Sequence, residues 1–287
     1  MSSLSSTDSY LSLLLSFPKL SGNTVLGLFL LTLMRIIPIL TIAPFLGAKN
    51  LPASIKMMFG IAIAAIMIPK VLMNATGSVD FNWEFVGYSL KELLIGFILG
   101  FIVSIPFSIA QSSGSLIDFV RGSQSLQVTD PTTQTQTGPV GLLYNYVLIV
   151  IFFAIDGPFL FFNGLAASFQ VIPVDSYFNT SFFSLNLPLW KLIISILNTV
   201  MSLAIQLAAP SIVGVLMTEM FLGIANRLAP QVQIVFLGIP LKSWVGIAFL
   251  ALAWTFILPQ LGKESLNWLK IMDNTIYTIN PIVQAKP

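Results

Sequence analysis

Residues 111–138 read QSSGSLIDFVRGSQSLQVTDPTTQTQTG, a polar stretch inside an otherwise apolar chain. Fifteen residues of this stretch are Ser, Thr or Gln, and only Asp118, Arg121 and Asp130 are charged. Hydrocarbon cannot solvate such a segment, because its polar groups would lack hydrogen-bond partners. The sequence therefore predicts a long polar loop between membrane helices. Such a loop either lines, plugs or caps an aqueous path, or it is a solvated connector.

The composition outside this stretch is that of a membrane protein. Hydrophobic residues make up 56% of the chain and charged residues only 8%, whereas soluble domains have about a quarter charged residues. The chain contains no Cys and no His, which excludes disulfides, thiolate or imidazole metal sites and histidine acid–base catalysis. The net charge of +2 gives no indication of a nucleic-acid partner. We expect no cofactor and no metal.

Six apolar runs each approach or exceed the roughly 18–20 residues that cross a bilayer. They cover residues 25–46, 55–72, 85–110, 140–169, 187–217 and 241–261. Prolines interrupt them at Pro38, Pro44, Pro69, Pro106, Pro158 and Pro210, which predicts kinked or broken helices. We therefore predict an all-α membrane protein of about six long helices and helical hairpins. It would form one domain over residues 1–262, followed by a short polar tail over 263–287.

Small residues recur every four positions along the third apolar run. They are Gly96, Gly100, Ser104 and Ser108. On a helix this spacing makes a stripe that a second helix can approach closely. The stripe either packs against another helix of the same chain, forms an interface with another subunit, or faces a pore.

Isolated charges within or beside the apolar runs require partners. Arg35 lies inside the first run, where a guanidinium needs a carboxylate, carbonyl oxygens or water. Glu92 borders the third run, and an Arg35–glutamate pair would be a structural link; the alternative is a direct part in transport. Asp156 stands alone in FFAIDGPFLFF without a second aspartate of the kind that an aspartyl membrane protease needs. Asp156-Gly157-Pro158 predicts a turn or a helix break between two half-helices, so that this run is a helical hairpin rather than one span.

The segment 218–242 reads TEMFLGIANRLAPQVQIVFLGIPLK and has the pattern of an amphipathic connector. Glu219 and Arg227 are two helical turns apart, so they share a face without touching. Pro230 ends or kinks the helix, and Gln231 places a side-chain amide at the break. Pro240 and Lys242 are expected to mark the start of the next helix.

Four sequence elements together resemble the T family of type III secretion export-gate proteins, which includes the YscT, SpaR and FliR kinds. The first is Arg35-x-x-Pro38 with Pro44-Phe45-Leu46-Gly47, Pro52 and Lys56; the second is Glu92-x-x-x-Gly96-x-x-x-Gly100. The third is Gly114-x-x-Ile117-Asp118-x-x-Arg121-Gly122 with Asp130-Pro131. The fourth is Glu219-x-x-x-Gly223-x-x-x-Arg227-x-x-Pro230-Gln231, ending in Gly238-Ile239-Pro240-x-Lys242. The resemblance covers about residues 25–260 and is closer to the injectisome branch.

The resemblance implies a component of the bacterial inner membrane at the base of a secretion system. It implies assembly with R and S components into a pseudo-helical gate for unfolded substrates, contact with a U-type switch protein, and a T-chain loop that plugs the lumen. In this sequence that loop would be residues 123–137, anchored by a turn over 114–122. The expected plug residues are Gly122, Ser123, Gln124, Ser125, Gln127, Thr129, Asp130, Thr132, Thr133 and Gln134.

Two other functions compete with this one. A secondary transporter would use broken helices with Arg35 and Glu92 as a solute site near mid-bilayer. The second is a membrane enzyme, but this chain lacks the His, Cys and paired aspartates that would carry its catalysis. We expect the remaining charges of the four elements to be structural rather than catalytic. They are Asp118, Arg121, Glu219, Arg227 and Lys242.

Overall fold

The computed structural model describes residues 22–46, 51–75, 79–123, 128–129, 136–177, 188–228 and 234–284. These ranges contain seven helices: α1 Gly22–Ile42, α2 Ala53–Asn74, α3 Trp83–Arg121, α4 Pro139–Ala154, α5 Gly157–Val171, α6 Pro188–Leu228 and α7 Ile234–Gln284. A 3-10 turn over Pro44–Leu46 follows α1. Strands β1 Val128–Thr129 and β2 Gln136–Thr137 pair antiparallel within the polar stretch.

The predicted all-α membrane fold is confirmed. By length and composition, α1, α2, α3, α6 and α7 are each apolar enough to cross a membrane. The bent pair α4–α5 adds a sixth span if it is counted as one, again within the described part of the chain. Pro38, Pro69, Pro106 and Pro210 lie inside helices, as the interrupted runs predict.

Helix α3 is the centre of the fold and packs against α1, α4, α6 and α7. Gly96 of α3 lies against Arg35, and Gly100 lies against Ile39, so α1 and α3 run in the same direction. Helix α4 packs against α3, whereas α5 packs mainly against α7 and α2. Helices α6 and α7 form a long hairpin that packs against the same central helix.

The polar stretch is shorter as a loop than the sequence predicts. Helix α3 continues to Arg121, so the first eleven residues of the stretch are helical and the predicted anchored turn over 114–122 is wrong. Ser113, Gly114 and Asp118 are buried, which explains why a polar sequence remains helical there. Gly122, with φ 78°, ends the helix in the left-handed conformation that glycine adopts without strain.

The predicted polar tail is also wrong, because α7 continues to Gln284. Trp268, Leu269, Met272 and Ile276 are buried in the core, and their spacing gives this end of the helix an apolar face. The other end of α7 begins at Ile234, before Pro240 and Lys242. Burial of one face therefore extends this helix beyond the C-terminal boundary that composition suggested.

The break predicted at Asp156 is present. Asp156 has φ 56° and separates α4 from α5, whose axes differ by 71°. A Cβ atom on Gly157 would lie 2.6 Å from the carbonyl oxygen of Phe152, so the turn requires glycine at that position. The two half-helices on either side of Asp156 agree with the predicted helix break, although a bend of 71° is less than the reversal of a tight hairpin.

Candidate functional site

The carboxylate of Asp118 joins the two ends of the polar loop. Asp118 lies in the last turn of α3 and is buried. Its Oδ2 accepts hydrogen bonds from the backbone amides of Val140, at 2.9 Å, and Gly141, at 3.2 Å. These are the second and third residues of α4, whose N-cap residue is Gly138 and offers no side-chain acceptor. Asp118 thus supplies the cap of α4 from a different helix.

Close backbone approach makes this capping possible. A Cβ atom on Gly138 would lie 2.1 Å from Asp118 Oδ2, and one on Gly114 would lie 2.5 Å from the Cα atom of Gly141. The hydroxyl of Ser123 donates to the carboxylate and the carbonyl of Asp118, each at 3.0 Å. Both ends of the loop therefore meet at the buried carboxylate of Asp118. We call this cluster the loop base; it consists of Asp118, Gly122 and Ser123 at the end of α3 and Val140 and Gly141 at the start of α4.

Arg121 connects the loop base to α7. Its Nη2 atom donates to Ser243 Oγ at 2.9 Å, while Nη1 lies 3.5 Å from Asp118 Oδ1. Its stem crosses Gly246, where a Cβ atom would lie 2.8 Å from Arg121 Cγ. The charge that the sequence marks as structural therefore bridges two elements that are about 120 residues apart in the chain.

Most of the predicted plug residues fall outside the described part of the chain. These are Gln124, Ser125, Gln127, Asp130, Thr132, Thr133 and Gln134. Thr129 lies in β1, where it is paired with Gln136. Gly122 and Ser123 belong to the loop base. That the predicted plug residues close a lumen stays a prediction.

Arg35 and Glu92 form a second cluster, which lies between α1 and α3. Arg35 Nη2 donates to Glu92 Oε1 at 2.9 Å, and Arg35 Nε donates to the other carboxylate oxygen. Both side chains are fully buried. The structure therefore brings together the two residues that the sequence proposes either as a structural pair or as a solute site.

Other groups complete the coordination of this pair, and sequence reasoning did not find them. Arg35 also donates to Ser168 Oγ, at 3.0 Å, and to the carbonyl oxygen of Ile172, at 2.9 Å, with its guanidinium carbon 4.3 Å from the centre of the Phe169 ring. Lys91 Nζ donates to the carbonyl oxygens of Pro173 and Val174 and lies 2.8 Å from Glu92 Oε1. The end of α5 is thus tied to α1 and α3. The signal in the sequence is a lysine beside a glutamate at the edge of an apolar run.

The small-residue stripe divides into two parts. Gly96 and Gly100 serve packing within the chain, since a Cβ atom on Gly96 would lie 2.2 Å from the carbonyl oxygen of Arg35. Ser104 and Ser108 instead donate to carbonyl oxygens of their own helix, and Ser108 is exposed. The two serines therefore remain candidates for an interface outside this chain.

The charges of segment 218–242 pair across the hairpin rather than along α6. Lys242 of α7 donates to Glu219 of α6. Arg227 lies on the exposed end of α6, two turns beyond Glu219. Pro230 and Gln231 lie outside the described residues. In the part of the chain that the structure describes, no three acidic side chains come together as a metal site would require.

Comparison with known proteins places this architecture in a family. The model of the family described as bacterial export proteins, family 1, matches residues 26–267. The secretion system apparatus protein SsaT of Salmonella typhimurium is 29% identical over 237 residues, which cover 82% of this chain and 87% of that protein. The flagellar biosynthetic protein FliR of Bacillus subtilis is 28% identical over 238 residues, which cover 82% and 90%.

A third relative, the Yop proteins translocation protein T of Yersinia pestis, is 30% identical over 187 residues, covering 64% of this chain and 67% of that protein. Identities to secretion and flagellar relatives are nearly equal, so they do not favour the injectisome branch. The family match covers all six apolar runs. The chain is a multi-pass membrane protein that belongs to the bacterial export proteins of family 1, the family of YscT, SpaR and FliR.

Proposed function

We propose that this chain is a non-enzymatic core component of a type III secretion export gate in the bacterial inner membrane. With R and S components, and in contact with a U-type switch protein, it would form the channel that admits unfolded substrates. The polar loop over residues 123–137 would close the lumen. The observation that carries the proposal is the loop base, where Asp118 holds both ends of the loop at one buried carboxylate.

This arrangement suits a closure that moves without disturbing the helix bundle. The fixed ends are buried backbone amides and a buried serine, whereas the loop between them is rich in Ser, Thr and Gln and has Asp130 as its single charge. Such a segment offers hydrogen bonds to many substrate sequences without strong charge selection. Loop motions of this kind take place on timescales far shorter than the unfolding of packed helices.

The surroundings of Arg35 and Glu92 argue against the alternative function of a solute transporter. Arg35 and Glu92 are fully buried, and protein groups from α1, α3 and α5 surround them. A solute binding there would have to displace several charge-assisted hydrogen bonds inside a low-dielectric region. This cluster is better explained as a link between helices.

The proposal is tested by replacing residues 124–137 with a four-residue Gly-Ser linker. Because Ser123 and Val140 both contact the Asp118 carboxylate, a short linker can join the ends. We expect the gate to assemble with its R and S components and to conduct ions in a planar bilayer or in cells. A variant with the same fourteen residues in scrambled order controls for composition and length and should remain closed. Normal secretion with an unchanged ion leak in the shortened variant would contradict the plug function.

A further inference from the structure

The break between α4 and α5 has one side that is fixed in the core of the protein. Phe152 and Phe161 stand on either side of the break, and both are buried. Their rings pack on Phe45, with centroid distances of 4.7 Å and 5.4 Å. Phe107 of α3 completes the cluster, with its ring centroid 5.5 Å from that of Phe152. The residues on the other side of the break therefore point outward from a packed support.

The outer side of the break combines a carboxylate with large apolar side chains. Asp156 is exposed, and so are Phe153 at 54%, Phe159 at 67% and Leu160 at 41%. Within the described part of the chain, the Asp156 carboxylate takes part in no hydrogen bond or ion pair. Because exposed apolar side chains lie both before and after it, the carboxylate is enclosed by apolar surface and does not mark its edge.

The turn itself does not require the negative charge. Asp156 has φ 56°, a left-handed conformation that glycine adopts without strain and that asparagine adopts about as readily as aspartate. The carboxylate gives no side-chain cap to α5. Its interaction with the dipole of α5 is weak, because this helix start is exposed. Neither the backbone geometry nor the contacts among the described residues therefore account for a charged group at this position.

Exposed apolar side chains also form a stripe along α4 that leads to Asp156. Successive members are three, four and three residues apart, which places them on one face of the helix. This spacing is the pattern of a seam between two packed helices. The stripe consists of Leu143, Tyr146, Val150 and Phe153, all of them exposed. We call the stripe, together with Asp156, Phe159 and Leu160, the α4 face.

Lipid is a poor cover for the α4 face. Ile151 of α4 lies at the level of Gly262 of α7, since a Cβ atom on that glycine would lie 3.5 Å from the isoleucine side chain. The next residue of α7, Lys263, is exposed, and no ion pair between described residues joins it to Asp156. Hydrocarbon does not solvate a lysine on one helix and a carboxylate on the next. Water would solvate both charges, but it would leave contiguous large apolar side chains uncovered.

We propose that the α4 face docks an apolar helix of another subunit of the export gate, and that this helix carries a lysine or arginine opposite Asp156. Its apolar side chains cover the stripe, and its basic group pairs with the carboxylate inside a contact that excludes water. A basic residue within an apolar helix is costly without such a carboxylate, so the pair also selects the correct partner. The inference rests on the proposed function for the identity of the complex and on the α4 face for the chemistry of the partner.

Photocrosslinking identifies what covers the α4 face. Val150 is replaced by p-benzoyl-phenylalanine in cells that assemble the whole secretion system, and the crosslinked peptide is identified by mass spectrometry. We expect a peptide of another subunit, with a lysine or arginine inside an apolar run. Adducts with lipid only, adducts with a second copy of this chain, or the absence of any adduct would overturn the proposal.

Asp156→Asn tests the charge without disturbing the turn, because asparagine has nearly the same shape and also adopts the left-handed conformation. The isolated chain in detergent should unfold at the wild-type denaturant midpoint. Release of the chain from the detergent-extracted gate should accelerate by about ten- to a hundredfold, the scale of one charge-assisted hydrogen bond. Asp80→Asn, at an exposed aspartate before α3, is the matched control and should leave both measurements unchanged. Equal release rates for the two variants would contradict a charge pair at Asp156.

A double-mutant cycle tests direct pairing. Replacing the captured basic residue of the partner by glutamine should accelerate release to the same extent as Asp156→Asn, and combining the two changes should add little more. Additive effects would show that the two groups do not pair. Absence of R and S components from the purified complex would contradict the export-gate function, whereas the peptide captured at position 150 decides the chemistry of the partner in whatever complex holds the chain.

Discussion

Replacing Asp118 by alanine should open the start of α4 without unfolding the bundle. In the native protein Asp118 Oδ2 is the acceptor for the amides of Val140 and Gly141, and Gly138 cannot replace it as a cap. The substitution leaves two buried amide donors without their acceptor, while the Ser123 hydroxyl keeps the backbone carbonyl oxygen of residue 118. Hydrogen bonds elsewhere along α4 are unaffected.

The size of the effect follows from these contacts. Loss of an N-cap side chain costs about 0.5–2 kcal/mol, and a buried unsatisfied donor costs about 1–3 kcal/mol. Because the two effects overlap at the same amides, we expect the local opening free energy to fall by about 2–4 kcal/mol. Amide exchange at the start of α4 should then accelerate by roughly 30-fold to 1,000-fold. Asp118→Asn keeps one acceptor oxygen and should lie between wild type and Asp118→Ala.

The measurement is hydrogen–deuterium exchange of the peptide that covers residues 138–145 in the detergent-purified protein. Asp80→Ala is the control, because Asp80 is an exposed aspartate in the short segment before α3 and lies far from α4 in the sequence. Exchange in that control should match wild type. An Asp118→Ala protein whose residues 138–145 also exchange at the wild-type rate would show that the carboxylate does not cap α4. The loop base would then have to be held by other contacts.

Three further predictions concern stability in detergent, measured by denaturant unfolding. Arg35→Met removes the guanidinium from the buried Glu92 carboxylate, which keeps Lys91 as a charged partner. The free energy of unfolding should fall by no more than about 3–5 kcal/mol, part of which Arg35→Met/Glu92→Leu should recover. Gly96→Ala should cost about 1–3 kcal/mol or more, because its Cβ atom meets the Arg35 carbonyl, while Ser108→Ala should change stability little. Glu219→Gln should cost less than about 1 kcal/mol, since Glu219 is 43% exposed and Lys242 27%.

The sequence predicts the helices well because their signal is local. The long apolar runs follow from composition, and the break at Asp156 follows from the backbone preferences of the residues around it. The predicted helix boundaries are wrong where burial against other helices keeps a polar segment helical. Residues 111–121 are polar yet helical because one face is covered by α4, and the end of α7 is helical because Trp268 and Met272 enter the core.

The contacts of the loop base were not predictable in the same way. Asp118 and Val140 are 22 residues apart, and nothing local indicates that the chain returns to that carboxylate. One indirect signal exists: the sequence Gly138-Pro139 begins a helix without a capping side chain, so a cap from elsewhere is implied. Likewise, the partner of Glu219 is Lys242 and not Arg227, because a hairpin brings distant turns together whereas two turns of one helix stay apart.

The pattern of exposed side chains along α7 limits the part of this helix that lipid can cover. The large apolar side chains of Ile239, Trp244, Leu252 and Phe256 are exposed, and they lie within 18 residues. At 1.5 Å per residue they extend over about 26 Å, close to the roughly 30 Å of a bilayer's hydrocarbon core. Beyond them the exposed side chains include the charged Lys263, Lys270 and Asp273, while Trp268 and Met272 on the opposite face are buried in the core of this chain. The helix is therefore apolar on its outer face over one membrane thickness, and its last turns are amphipathic and lie outside the hydrocarbon.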